Sequence, residues 1–181
     1  MSKLRTELIQ RCEDNDVVGF IDTALDITAS DLPAINIPAS RLVLMLIRIS
    51  DALLYDLEAT VQRPEGISSS GFHLCWILWL IGPAEASTAA SLMGVSRATI
   101  SGISNTLERS GHLARTRHPN DGRSVILNLT PSGRAEFEAI FVKTNDRYCT
   151  WVSALTGDEV STLVGLLAKL AEGGQDAKRR K

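Results

Sequence analysis

The sequence predicts a mainly α fold of the α+β class, in which helices flank a helix-turn-helix and a single β-hairpin follows it. Three observations predict it. Apolar residues recur every three or four positions through most of the chain, as in Leu42, Leu46, Ile49, Leu53 and Leu57, which is the period of helices with one buried face. Two short helical stretches meet at Gly94, and paired helices joined by a short turn containing glycine form a helix-turn-helix. Residues 113–129 alternate instead with period two around Pro119-Asn120-Asp121-Gly122. That is the pattern of half-buried strands about a tight turn, where Gly supplies positive φ and Asn and Asp bond their own backbone.

The elements follow in order. Leu4 to about Leu25 reads as helix with the stripe Leu8, Val17, Ile21 and Leu25, and the acidic run Glu13-Asp14-Asn15-Asp16 is where it would split. Pro33 and Pro38 mark a linker. A long amphipathic helix then spans Ala39 to about Gln62 and is closed by Arg63-Pro64-Glu65-Gly66. Ser68–Ser70 can cap the next helix, Gly71 to Ile81, which is apolar nearly all round and is expected to be central and buried. Ser87 can cap Thr88 to Met93, and Ser96 can cap Arg97 to Ser110, with Gly111 ending it.

In that second helix Val95, Ile100, Ile103 and Leu107 face inward, leaving Arg97, Ala98, Thr99, Ser101, Gly102 and Asn105 to the other surfaces. In the hairpin, Leu113, Arg115 and Arg117 alternate with Ala114, Thr116 and His118, and Val125, Leu127 and Leu129 with Ser124, Ile126 and Asn128. Nothing at the tip needs burial, so Arg117 and Arg123 project into solvent. Thr130 and Pro131 then start a long helix from about Ser132 to Leu155. A last helix, capped by Thr156 or Asp158, runs from Glu159 to about Glu172 with Val160, Leu163, Leu166, Leu167 and Leu170 on one stripe. Gly173-Gly174 and Lys178-Arg179-Arg180-Lys181 read as a disordered basic tail.

Bulk properties narrow the function. A chain of 181 residues at 44% apolar builds a real core, as one domain or one domain with an extension. No apolar run approaches the roughly 20 residues of a membrane span, and the acidic N-terminus lacks a signal-peptide core, so no membrane partner and a cytoplasmic location are expected. Cys12, Cys75 and Cys149 have no close spacing, which argues against a disulfide framework and against a zinc site. Only three histidines exist, two of them at His112 and His118. With no convergent acid, base and nucleophile and no phosphate loop, neither catalysis, nor a cofactor, nor a metal is expected.

Charge is unevenly spread. Residues 1–37 hold three basic against seven acidic side chains, whereas residues 96–123 hold five arginines against Glu108 and Asp121. A basic segment in an acidic chain is the footprint of a polyanion-binding surface. The start of the second short helix is thin and polar, as a helix entering the major groove must be, with hydroxyls and an arginine reaching base edges and phosphates. A hairpin behind such a helix is a wing. Its arginines suit the narrow, negative minor groove alongside.

The run GVSRATISGISNTLERSGHLARTRHPNDGRSVILNLTPSG resembles the MarR family of bacterial winged-helix transcription regulators. The wing signature D-x-R-x-x-x-x-x-L-T stands as Asp121, Arg123, Leu129 and Thr130. The recognition-helix pattern V-S-x-x-T-x-S, the helix end LERSG, and LTPSG follow in the family's order and spacing. The resemblance implies a winged helix-turn-helix DNA-binding lobe (about 68–130) with long N- and C-terminal dimerisation helices (about 39–62 and 131–172). Together these make a domain over 38–172, with an N-terminal helical extension and linker over 1–37 and the tail over 173–181. It further implies a homodimer on a pseudo-palindromic double-stranded DNA operator, acting as a repressor released by a small-molecule effector, often aromatic and anionic. Carried onto this chain, Arg123 is the minor-groove arginine, Asp121 orients it, and Ser96, Arg97, Thr99 and Ser101 lie at the DNA face. Asn105 and Arg117 complete that surface. Arg48, His73 and Trp76 lie on helices that border the family's effector cavity. Urate-responsive members carry an added N-terminal helix too, but begin the second core helix with Gly-Trp-Asp where this chain has Gly71-Phe72-His73. Two other readings remain at this point: a thiol-based redox sensor of the same fold, and a winged helix used for protein binding.

Overall fold

Side-chain oxygens of Asp16, Asn36, Ser68, Ser96 and Thr130 each accept a hydrogen bond from the backbone N–H three residues on, starting five helices. The computed structural model describes residues 3–14, 16–118 and 121–179, without the side chains of 118, 121–123 and 175–179. The chain divides into two compact units, Met1–Ala59 and Thr60–Lys181.

The first unit holds α1 (Lys3–Glu13), α2 (Val17–Asp31) and α3 (Ile37–Leu57). The acidic run does divide α1 from α2. Asp16 caps α2 through the Gly19 N–H and pairs with Arg11 at 2.7 Å, so its carboxyl is held below the usual range, the Gly19 bond first and the Arg11 bond second. α2 continues past Leu25 to Asp31, and α3 then starts at Asn36. Arg41 pairs with Asp22 at 2.8 Å, and the Arg48 guanidinium lies 5.6 Å from the centroid of Phe20. In this division α3 is grouped with α1 and α2. A π-helical turn, Glu58–Gln62, follows α3.

The second unit contains α4 (Ser69–Ile81), β1 (Ala84–Glu85), α5 (Ala86–Met93), α6 (Arg97–Arg109), β2 (Leu113–His118), β3 (Asp121–Leu129), α7 (Pro131–Val152) and α8 (Gly157–Arg179). The sheet order is β1-β3-β2, antiparallel throughout, with Leu113 opposite Leu129 and Ala84 opposite Leu127. Leu74, Cys75, Ala89, Ile100, Leu127 and Phe137 are the centre of the core. Inward strand positions and the buried stripe of α6 thus meet against α4 and α7.

Several elements differ from the expectations. A two-residue strand carries no periodicity, so β1 was not legible; it moves the start of α5 to Ala86, with Glu85 at the cap position. Ser87 donates to Glu85 Oε2 at 3.1 Å and does not cap the helix. α4 is not buried all round, for Trp76, Leu80 and Ile81 are exposed. Val95 is exposed, and Ser104 is buried in its stead with its hydroxyl donating to the Ser101 carbonyl. α8 passes through Gly173 and Gly174 to Arg179, because a helix-interior glycine costs only about 1 kcal/mol and does not forbid the conformation. Arg180 and Lys181 lie outside the described residues. No helix among the described residues is long and apolar enough to cross a membrane.

A reciprocal cap begins α8. Glu159 accepts from both the Thr156 N–H (2.8 Å) and the Thr156 hydroxyl (2.9 Å), and the Glu159 N–H reaches the same hydroxyl. The backbone bond, then the hydroxyl bond, holds the Glu159 carboxyl below its ordinary value. A carboxylate depressed on folding contributes stability that is present above its unfolded pKa and lost as the pH falls through the folded one. Circular dichroism should therefore show helicity steady at neutral pH and falling below about pH 4. Glu159→Ala should lower the plateau and flatten that part of the acid curve; an unaltered curve would remove the cap from the account.

Candidate nucleic-acid interface

Ile100, Ser104 and Leu107 form the inward stripe of α6, which leaves Arg97 and the small polar residues Thr99 and Ser101 on the outward face of its first turns. Arg97, Thr99, Ser101 and Asn105 are all exposed, as expected. Ser96 serves twice: its Oγ accepts from the Thr99 N–H at 3.1 Å and shares a 2.8 Å hydrogen bond with the Thr99 hydroxyl. The Ser96 hydroxyl thereby starts the helix, and it stands at the surface together with that of Thr99. The N-terminal N–H groups of α6 add a local positive potential at that end.

The hairpin is bound to this helix. Arg115, on the inward phase of β2, donates to Asn105 Oδ1 and lies 3.8 Å from Glu108. Alternation along β2 had already placed Arg115 with Leu113, and an arginine on the inward side of a half-buried strand signals a partner across the gap. Its role as a tie between wing and helix was nonetheless missed. Arg97, Ser101, Ser104, Arg115, Ser124 and Val125 help line a hollow of about 360 Å³ between α6, the start of α5 and the sheet.

Farther along the wing, Arg117 is exposed on β2. β3 begins at Asp121, but the side chains of Asp121 and Arg123, and the whole of Pro119 and Asn120, lie outside the described residues. At the base of the wing, Thr130 Oγ1 donates to the Gly111 carbonyl at 2.7 Å and accepts from the Gly133 N–H at 2.9 Å. One hydroxyl thus secures the end of the recognition helix, the end of β3 and the first turn of α7. His112 adds a second tie: Nδ1 shares a 2.7 Å hydrogen bond with the Ser110 hydroxyl, and Nε2 lies 2.8 Å from Glu136 Oε2.

His73 and Trp76 are brought together, with ring centroids 6.4 Å apart, and line a hollow of about 180 Å³ with Ile77, Leu92 and Met93. Arg48 belongs to the first unit, over Phe20, and is not among the residues lining this hollow. Among the cysteines, Cys75 is fully buried, and burial pushes its thiol up to about 12, so it holds no thiolate at neutral pH. Cys12 and Cys149 are exposed. No group of three or more potential metal ligands occurs among the described residues.

A model of the MarR family matches residues 67–125, which is the stretch from the start of α4 to the middle of β3. The chain is 31% identical over 147 residues to the multiple antibiotic resistance protein MarR of Salmonella typhimurium, covering 79% of this chain and 97% of that protein. It is 27% identical over 151 residues to the uncharacterized HTH-type transcriptional regulator YwaE of Bacillus subtilis, covering 83% and 88%. A mutant MarR from E. coli, solved as a complex with operator DNA, superposes with a TM-score of 0.62 at 26% identity, over 74% of this chain and 93% of that one.

Proposed function

The chain belongs to the MarR family, and from that premise we propose that it is a cytoplasmic, homodimeric repressor that holds a pseudo-palindromic operator and releases it when a small molecule binds. The observation that carries the DNA-binding part is the pairing of a thin, polar, exposed helix face with a basic hairpin tied to it by Arg115. The helix enters the major groove and the wing lies along the minor groove, with Arg123 reaching into it and Asp121 orienting that arginine. Dimerisation is supported by apolar stripes left uncovered within one copy. On α8, Leu163, Leu166, Leu167 and Leu170 are 45%, 57%, 38% and 44% exposed, and on α3 Leu42, Ile49 and Leu54 are exposed as well. Surfaces of that kind mark protein interfaces. The effector is small, aromatic and anionic, and the His73 and Trp76 rings that line the hollow offer it aromatic faces.

The test is selection of bound fragments from a random duplex pool by the purified protein, followed by titration on the recovered sequence. The motif should be an inverted repeat; a single half-site would refute the dimer. Arg123→Ala should weaken binding by about 1–3 kcal/mol at fixed salt while leaving the melting temperature in place. Arg123→Lys should not fully rescue it, because lysine lacks the planar fork and holds its hydration more tightly. A folded Arg123→Ala protein that binds as tightly as the wild type would overturn the wing's role.

A further inference from the structure

Asn105 lies on the same exposed stripe of α6 as Arg97 and Ser101, each four residues from the next. A carboxamide free to turn at such a position reads adenine, its oxygen accepting from N6 while its NH₂ donates to N7. Here the oxygen is already engaged. The Arg115 guanidinium donates to Asn105 Oδ1, and since a guanidinium has donors and no acceptor, the amide must turn its oxygen, not its nitrogen, toward it. The Arg115 side chain is only 25% exposed and has Glu108 at 3.8 Å, so it is held in place by its surroundings as well as by Asn105. With its oxygen turned toward Arg115, the group Asn105 leads with on its other side is its NH₂.

We propose that Arg115, acting through Asn105, is a specificity-determining residue: by holding the amide oxygen it makes Asn105 present its NH₂ first, which favours an acceptor edge, guanine above all, over the adenine pairing open to a free asparagine. Guanine presents N7 and O6 as acceptors in the major groove, whereas cytosine presents a donor and adenine needs both halves of the amide. Arg115 is a positioning residue in this arrangement; Asn105 makes the contact. The inference rests on reading α6 as the major-groove helix.

The experiment is selection from a random duplex pool by full-length wild type, Arg115→Met and Asn105→Ala, with a melting curve for each. The wild-type motif should contain one position per half-site where guanine is favoured. Asn105→Ala should lose the preference there and keep the rest of the motif. Arg115→Met frees the amide oxygen, and the adenine-to-guanine ratio at that position should rise about tenfold, the scale of one good base contact. A folded Arg115→Met that selects the same bases as wild type overturns the inference, as does an Asn105-dependent position where the wild type already favours adenine. Should Arg115→Met fail to fold, Asn105→Ala decides alone: loss of a guanine preference supports the inference, and no change overturns it. A wild-type pool with no enriched sequence overturns the DNA-binding reading itself, and this inference with it.

Discussion

Phe137→Ala is expected to lower the stability of the second unit by about 3–5 kcal/mol, the range for removing a large buried aromatic side chain. Phe137 is 1% exposed and stands at the meeting of α4 and α7. Its ring centroid lies 5.3 Å from that of Phe72, 5.8 Å from Phe141 and 6.0 Å from Trp79. Truncation removes the transfer free energy of the ring and leaves a cavity that these neighbours cannot close without leaving their rotamers. Urea unfolding should show a lower midpoint with little change in slope. Phe137→Leu, which refills part of the space, should recover a good share of the loss. A penalty for Phe137→Ala under about 1 kcal/mol would mean that the aromatic cluster is not what holds α4 to α7.

Gly133→Ala should be nearly as damaging, for a different reason. A Cβ at Gly133 would stand 2.0 Å from the His112 carbonyl oxygen and 2.6 Å from the His112 carbonyl carbon and Cα. These are backbone atoms, and they are pinned: the Thr130 N–H donates to that carbonyl at 3.0 Å, and Thr130 Oγ1 accepts from the Gly133 N–H. The methyl group is accommodated only if the first turn of α7 moves away from the chain between α6 and β2. Overpacking against rigid surroundings costs about 1–3 kcal/mol and more when backbone must shift. The same shift disturbs the base of the wing, so affinity for the selected DNA should fall together with the melting temperature. By contrast, alanine at Gly102, inside α6 with nothing within 4 Å of an added Cβ, should raise stability by up to about 1 kcal/mol. Equal melting curves for Gly133→Ala and wild type would sink the argument.

Much of this protein was legible before folding was considered. Helix starts were marked by Ser68, Ser96 and Thr130, whose hydroxyls accept from the N–H three residues on, and hairpin strands were marked by strict alternation through Leu113, Leu127 and Leu129. Capping and periodicity are properties of neighbours in the chain, so the sequence displays them directly. The exposure of Arg97, Thr99, Ser101, Asn105 and Arg117 followed from the same patterns. The motif run from Gly94 to Gly133 was enough to point to the family, and the match to residues 67–125 agrees with it.

What only the tertiary structure decided depends on groups distant in the chain. β1 exists because Ala84 and Glu85 pair with Leu127 and Ile126, some forty residues on, and two residues alone show no pattern. Trp76, Leu80 and Ile81 stay exposed because one copy supplies core on only part of the surface of α4, whereas a run of apolar residues cannot say on how many sides it will be covered. Ser104, which the apolar pattern did not place inward, is buried, and this is tolerable because its hydroxyl finds the Ser101 carbonyl. Asn105 and Arg115 read separately as two polar surface residues. Their joining, which turns one amide oxygen inward and leaves its NH₂ outward, required the strand to be laid against the helix.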